Sequence, residues 1–131
     1  MTGTNNTANM QPQDFPPLFG GPTIYIYPSL ALSLGLNAAI VLYQLDALLQ
    51  DVPEAEDGHK WYKQNYNDWQ THFPFWSTKT ISRIFLKLEE EGYVLSTKKF
   101  NSLFIDNTKW YTIDFEKVNA VISKVKLVSG D

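Results

Sequence analysis

The chain has 131 residues, 44% hydrophobic and 15% aromatic, which suits one compact domain with tails and excludes a wholly disordered chain. It has no cysteine, so a disulfide framework and a thiolate metal site are excluded, and a reducing, cytoplasmic compartment is expected. A formal net charge of −3 argues, taken alone, against a polyanion partner.

Residues 1–22 are rich in Thr, Asn, Gln, Pro and Gly and read as a flexible arm, in which Phe15, Leu18 and Phe19 are expected to dock on the domain or on a second subunit. The opening MTGTNNTANM has neither the positive charge nor the apolar run of a signal peptide. A domain over 23–128 follows, with a short tail at 129–131. Pro28 and Ser29 open a helical turn through Leu34, and Gly35 breaks it. Asn37 is expected to cap the next helix, AAIVLYQLDALLQ, whose Ile40, Val41, Leu45, Leu48 and Leu49 supply core. Gln44 and Asp46 interrupt this longest apolar stretch, which is too short to span a bilayer, so no membrane partner is expected.

The acidic run 52–58, VPEAEDG, reads as a solvated loop. HKWYKQN then suggests a short strand, and YNDWQTHF a short helix started by Asn65 or Asn67 and ended by Pro74. The next segment, STKTISRIFLKLEEEG, is the most informative of the chain. Ser77 is placed to cap a helix, Gly92 to end it in the left-handed conformation, and Ile81, Ile84, Phe85 and Leu88 fall on one stripe. Two helices joined by a tight turn form a helix-turn-helix. YVLSTKKF and KWYTIDF read as a hairpin with a long tip, and a last helix follows with Asp114 as cap and Val118, Val121, Ile122 and Val125 as its apolar stripe. The order helix, strand, helix, helix, strand, strand, helix predicts an α+β fold, a winged helix-turn-helix.

Charge is segregated along this order. Residues 1–58 hold six acids and no base. Residues 59–111 hold eight bases (Lys60, Lys63, Lys79, Arg83, Lys87, Lys98, Lys99, Lys109) against five acids. In a winged helix, the recognition helix (77–91 here) enters the major groove while the wing (97–109) reaches backbone or minor groove. Thr78, Lys79, Ser82 and Arg83 lie toward the start of that helix. The Arg83 fork suits a bidentate contact with guanine, and Lys79, Lys98, Lys99 and Lys109 suit phosphates. Glu89, Glu90 and Glu91 are expected to face away from a duplex. The plainer reading of such cations is solvated surface. Trp61, Trp69, Phe73, Phe75, Trp76 and Trp110 are read as core in preference to stacking platforms.

Nothing in the sequence proposes a catalyst. His59 and His72 are not spaced as a metal pair, and no HExxH, P-loop or GxSxG pattern occurs, so neither an enzyme, a metal nor a cofactor is expected.

PSLALSLGLNAAIVLYQL (28–45), HKWYKQNYNDWQTHFPFWSTKTISRIFLKLEEEGYV (59–94) and DNTKWYTIDFEKV (106–118) resemble the N-terminal winged-helix domain of phage and plasmid replication proteins. That group includes replisome organisers and DnaD-like primosomal proteins. The resemblance implies binding to double-stranded DNA at replication initiation, self-association, and contacts with replisome or helicase-loading proteins. This chain departs from it at Ala38, where an acidic residue is common, and at Asn107, where the relatives carry an arginine. Longer relatives add a C-terminal domain, and both a separated module and a stand-alone regulator stay open. Dimerisation is expected through Val118, Val121, Ile122 and Val125 with Phe15, Leu18 and Phe19. The alternatives are a protein-interaction or oligomerisation scaffold of the same fold that does not bind DNA, and a transcriptional regulator.

Overall fold

A computed structural model describes residues 21–103, 106 and 108–124. Most of the expected arm, with Phe15, Leu18 and Phe19, lies outside the described residues, as does Val125. The described chain is α+β, with five helices and a three-stranded antiparallel sheet. The order is α1 (Pro28–Leu34), α2 (Leu36–Leu49), β1 (Tyr62–Gln64), α3 (Tyr66–Trp69), α4 (Thr78–Glu91), β2 (Val94–Thr97), β3 (Lys109–Ile113) and α5 (Phe115–Lys124).

Local chemistry sets most of these boundaries. Pro28 at the first helical position suits α1, because its missing N–H has no intrahelical partner there. Gly35, at φ 94°, is the one residue between α1 and α2. The helix resumes immediately beyond it, so Asn37 lies inside α2 and does not cap it, contrary to the sequence expectation. Asn65 caps α3 by accepting from the Asp68 N–H at 2.8 Å, and Ser77 caps α4 by accepting from the Thr80 N–H at 3.2 Å. Asp114 accepts from the Lys117 N–H at 3.0 Å and starts α5.

Gly92 ends α4 in the left-handed region at φ 87°. Lys117 then closes that end: its ammonium donates to the Glu91 carbonyl and lies 4.9 Å from the centre of the Tyr93 ring. A cation at the carbonyl end of a helix also meets the negative pole of its dipole.

β3 is the centre of the sheet, with β1 and β2 on either side. Tyr62 pairs with Tyr111 on one edge, while Val94 pairs with Ile113 and Thr97 with Trp110 on the other. The core fills the space between this sheet and the helices. Val41, Leu42, Leu45 and Leu49 of α2 meet Ile81, Ile84, Phe85 and Leu88 of α4, and all are buried. Ile40 and Leu48 are only half-buried. Trp69, the last residue of α3, stacks on Phe85 at 4.9 Å and meets Tyr111 edge-on at 5.6 Å, so one indole joins α3, α4 and β3.

Val118 of α5 is buried in the core and Ile122 packs against it, so these two positions of the stripe contribute to the domain's own packing. Val121 is half-buried.

Two stability effects follow. Gly92→Ala places a side chain at a φ that costs an L-residue about 1–2 kcal/mol. The new Cβ would also sit 2.7 Å from Lys117 Nζ, pushing the ammonium off the helix end. Urea denaturation should show the loss, and unchanged stability would contradict the cap. His72 packs against Trp69 and Tyr62, and burial pulls its imidazole below the ordinary 6.5. The unfolded chain therefore takes the proton first. Stability should be full above the ordinary histidine value and decline as pH falls below it, and His72→Gln should flatten that slope.

Candidate nucleic-acid interface

α4 has a buried stripe, so its other side is open to solvent. Lys79, Ser82, Arg83, Leu86, Lys87 and Glu90 line one shallow trough along that side. Lys79, Arg83 and Lys87 recur every four residues, so their charges stand in one row along the helix. Among the described residues, none of the three forms an ion pair.

Beside the start of α4 lies an open cleft of about 600 Å³. Thr78, Lys79 and Ser82 form one wall, and Gln64, Asn65 and Asn67 face them from the β1–α3 corner. Thr108 and Lys109 close the side toward the sheet, and Tyr66 and Tyr111 also line it. The lining thus offers amides and hydroxyls between two ammonium groups. Such groups can donate to phosphate oxygens, which only accept, and can both donate to and accept from base edges. Burial pushes the Tyr111 phenol well above its ordinary range, with neighbouring Tyr66 adding to the effect, so it stays neutral.

The sequence-predicted residues therefore divide into two groups. Thr78, Lys79, Ser82 and Arg83 come together on the open side of α4, as expected. The lysines of the β2–β3 region do not share that freedom. Lys109 is mostly buried and pairs with Glu89 at 3.6 Å. The same Glu89 accepts from the Ser96 hydroxyl at 2.6 Å, tying α4 to β2 and β3 together. Lys99 pairs with Asp57 at 3.2 Å. Lys98 is exposed. On the opposite edge, Lys63 pairs with Asp106 at 3.5 Å and lies 5.6 Å from the Trp110 ring centre.

Glu89 turns inward to the sheet, whereas Glu90 joins the open trough. The three acidic residues of this helix end thus do not point one way. The β2–β3 connection is shaped chiefly by Asn101. It accepts from the Trp110 indole at 2.7 Å and donates to the Asp106 and Thr108 carbonyls at 3.1 and 2.7 Å. A hydrogen bond from the Thr108 N–H is the main reason the Asp106 carboxyl falls below its ordinary value.

Of the aromatics weighed as stacking platforms, Trp69 and Phe73 are fully buried, while Trp61, Trp76 and Trp110 are half-buried. Phe75 is the exposed one. Sequence reasoning passed over Lys87, although its spacing from Arg83 was signal enough. It also passed over Gln64, Asn65 and Asn67, which reach the cleft only because the β1–α3 corner folds against α4. Among the described residues, no three metal-ligating side chains gather, and no helix is long and apolar enough to cross a membrane. Comparisons with protein-family models, curated proteins and solved structures gave no match.

The Glu89–Lys109 pair should behave as a structural link. Glu89→Ala strands Ser96 and Lys109 and should cost about 1–2 kcal/mol, since both side chains are partly shielded from solvent. A double-mutant cycle with Lys109→Ala, followed by urea denaturation, should return a non-zero coupling. Strict additivity would show that the contact carries no energy.

Proposed function

We propose that this domain is a winged helix-turn-helix that binds duplex DNA through the open side of α4, as part of a replication-initiation or replisome-organising protein. The observation that carries the reading is the row Lys79, Arg83 and Lys87, unpaired among the described residues, beside a polar cleft at the start of the same helix. α3 and α4 supply the two helices, and β2, β3 and their connection supply the wing. The replication role rests on the sequence resemblance, which also favours self-association and helicase-loading partners. No catalytic step is proposed.

In this reading Arg83 addresses a base edge, because its planar guanidinium holds two acceptors at once. Lys79 and Lys87 address phosphates on either side of it, and Thr78 and Ser82 add hydroxyl contacts at the helix start. Wing lysines contribute less than their number suggests, since Lys99 and Lys109 are already engaged with carboxylates. The alternative of a protein-interaction scaffold draws support from Leu86, which stands exposed in the middle of the cationic row.

Fluorescence anisotropy with labelled duplexes tests the proposal. Three to four phosphate contacts per domain should lower affinity by roughly a hundredfold between 50 and 200 mM salt. Arg83→Ala should relax sequence preference, and Lys79→Ala should weaken all duplexes alike and reduce the salt slope by about one. Binding indifferent to salt and to both substitutions would refute the assignment.

A further inference from the structure

Lys99 occupies a built seat. Its ammonium lies 3.2 Å from Asp57 Oδ2, 5.0 Å from the Phe100 ring centre and 5.8 Å from the Trp61 ring centre. The carboxylate is oriented independently of the lysine. It accepts from the His59 N–H at 3.0 Å, and its two oxygens accept from the Trp61 indole at 3.2 and 3.1 Å. The loop around it is closed by the Ala55 N–H to His59 carbonyl bond at 2.8 Å and by Gly58 at φ 83°. Phe100 reaches the same place from the other side, packing between Trp61 and Trp110 at 5.8 and 5.5 Å. Two segments distant in sequence, the acidic loop 52–58 and the start of the β2–β3 connection, are thus joined by one ammonium group and by the Phe100 ring packed on Trp61.

We propose that the acidic loop restrains the β2–β3 connection by holding Lys99 on Asp57, an autoinhibitory contact that a DNA phosphate must displace before Lys99 binds it. The inference rests on the DNA-binding reading above. Its chemistry is an exchange of one anion for another on a single cation: the carboxylate leaves and a phosphate oxygen takes its place. The seat biases that exchange without locking it. The Lys99 side chain is 55% exposed, and exposed ion pairs and cation–π contacts are individually weak. Glu54 of the same loop lines a groove with Trp61 and Phe100 and adds negative charge beside the connection.

The test compares Asp57→Asn with Glu56→Gln. Both remove one charge from the same loop, but the exposed Glu56 is not part of the seat. With a short labelled duplex at low salt, Asp57→Asn should tighten binding roughly threefold to tenfold more than Glu56→Gln and steepen the salt slope by about one unit. Lys99→Ala should change the unmodified protein little and should cancel the gain in the Asp57→Asn background. Backbone relaxation of amides 98–103, measured without DNA, should show added motion in Asp57→Asn and none in Glu56→Gln. Equal tightening by the two variants would reduce the effect to net charge and overturn the proposal. So would an equal loss from Lys99→Ala in both backgrounds. If added motion appears but no variant binds duplex, the DNA-binding reading fails and the restraint loses its role. If duplex binds but the two variants move alike, only the restraint fails.

Discussion

Trp69 stacked on Phe85 is the contact on which the candidate surface depends, because it sets α4 at a fixed angle to the sheet. The indole is fully buried, and Tyr111 meets both rings from β3, at 5.6 Å from Trp69 and 5.1 Å from Phe85. Phe73 extends the cluster into the turn before α4, stacking on Trp76 at 5.3 Å. Truncating a ring of this kind costs about 3–5 kcal/mol, a large part of the 5–15 kcal/mol that typically holds a domain of this size. With the inner stripe of α4 committed to this cluster, its cationic row stands on the outer side of the helix, where Arg83 and Lys87 also border a groove against the α1–α2 corner.

Electrostatics divide the positive charge into two populations. The ion pairs of the described structure all involve lysines of the sheet or its β2–β3 connection: Lys63 with Asp106, Lys99 with Asp57, and Lys109 with Glu89. α4 keeps Lys79, Arg83 and Lys87 out of such pairs among the described residues. The net charge of −3 therefore understates one face and overstates another. In the proposed complex, affinity would come mainly from one helix, while the connection behind it acts as a held element that adds charge when released.

The parts of this arrangement legible in the sequence are those encoded locally. The stripe Ile81, Ile84, Phe85 and Leu88, the Ser77 cap and the Gly92 stop all depend on residues within a turn or two of one another, and the structure places each as read. Asp114 was legible for the same reason, and Asn65 was one of two candidates, with Asn67, for the start of α3. What escaped depends on distance along the chain. Asp57 and Lys99 are 42 residues apart, and nothing near either one marks the other as its partner. β1 joins the sheet beside β3, a pairing that brings Gln64 and Asn65 to the cleft and that strand propensity does not specify. The apolar stripe of α5 was visible, but periodicity does not say whether such a stripe meets the chain's own core or a second subunit. Asn37 was misplaced because a single glycine, Gly35, proved enough to separate two helices.

If the open side of α4 meets DNA, as proposed, that helix should respond most when a duplex binds. Backbone amide chemical shifts of the labelled protein, followed as a duplex is added, report that response residue by residue. The largest changes should gather at residues 78–87, with smaller ones at 64–67 and at 98–99. Changes gathered instead on α1, α2 and α5, or none at saturating duplex, would contradict the proposal.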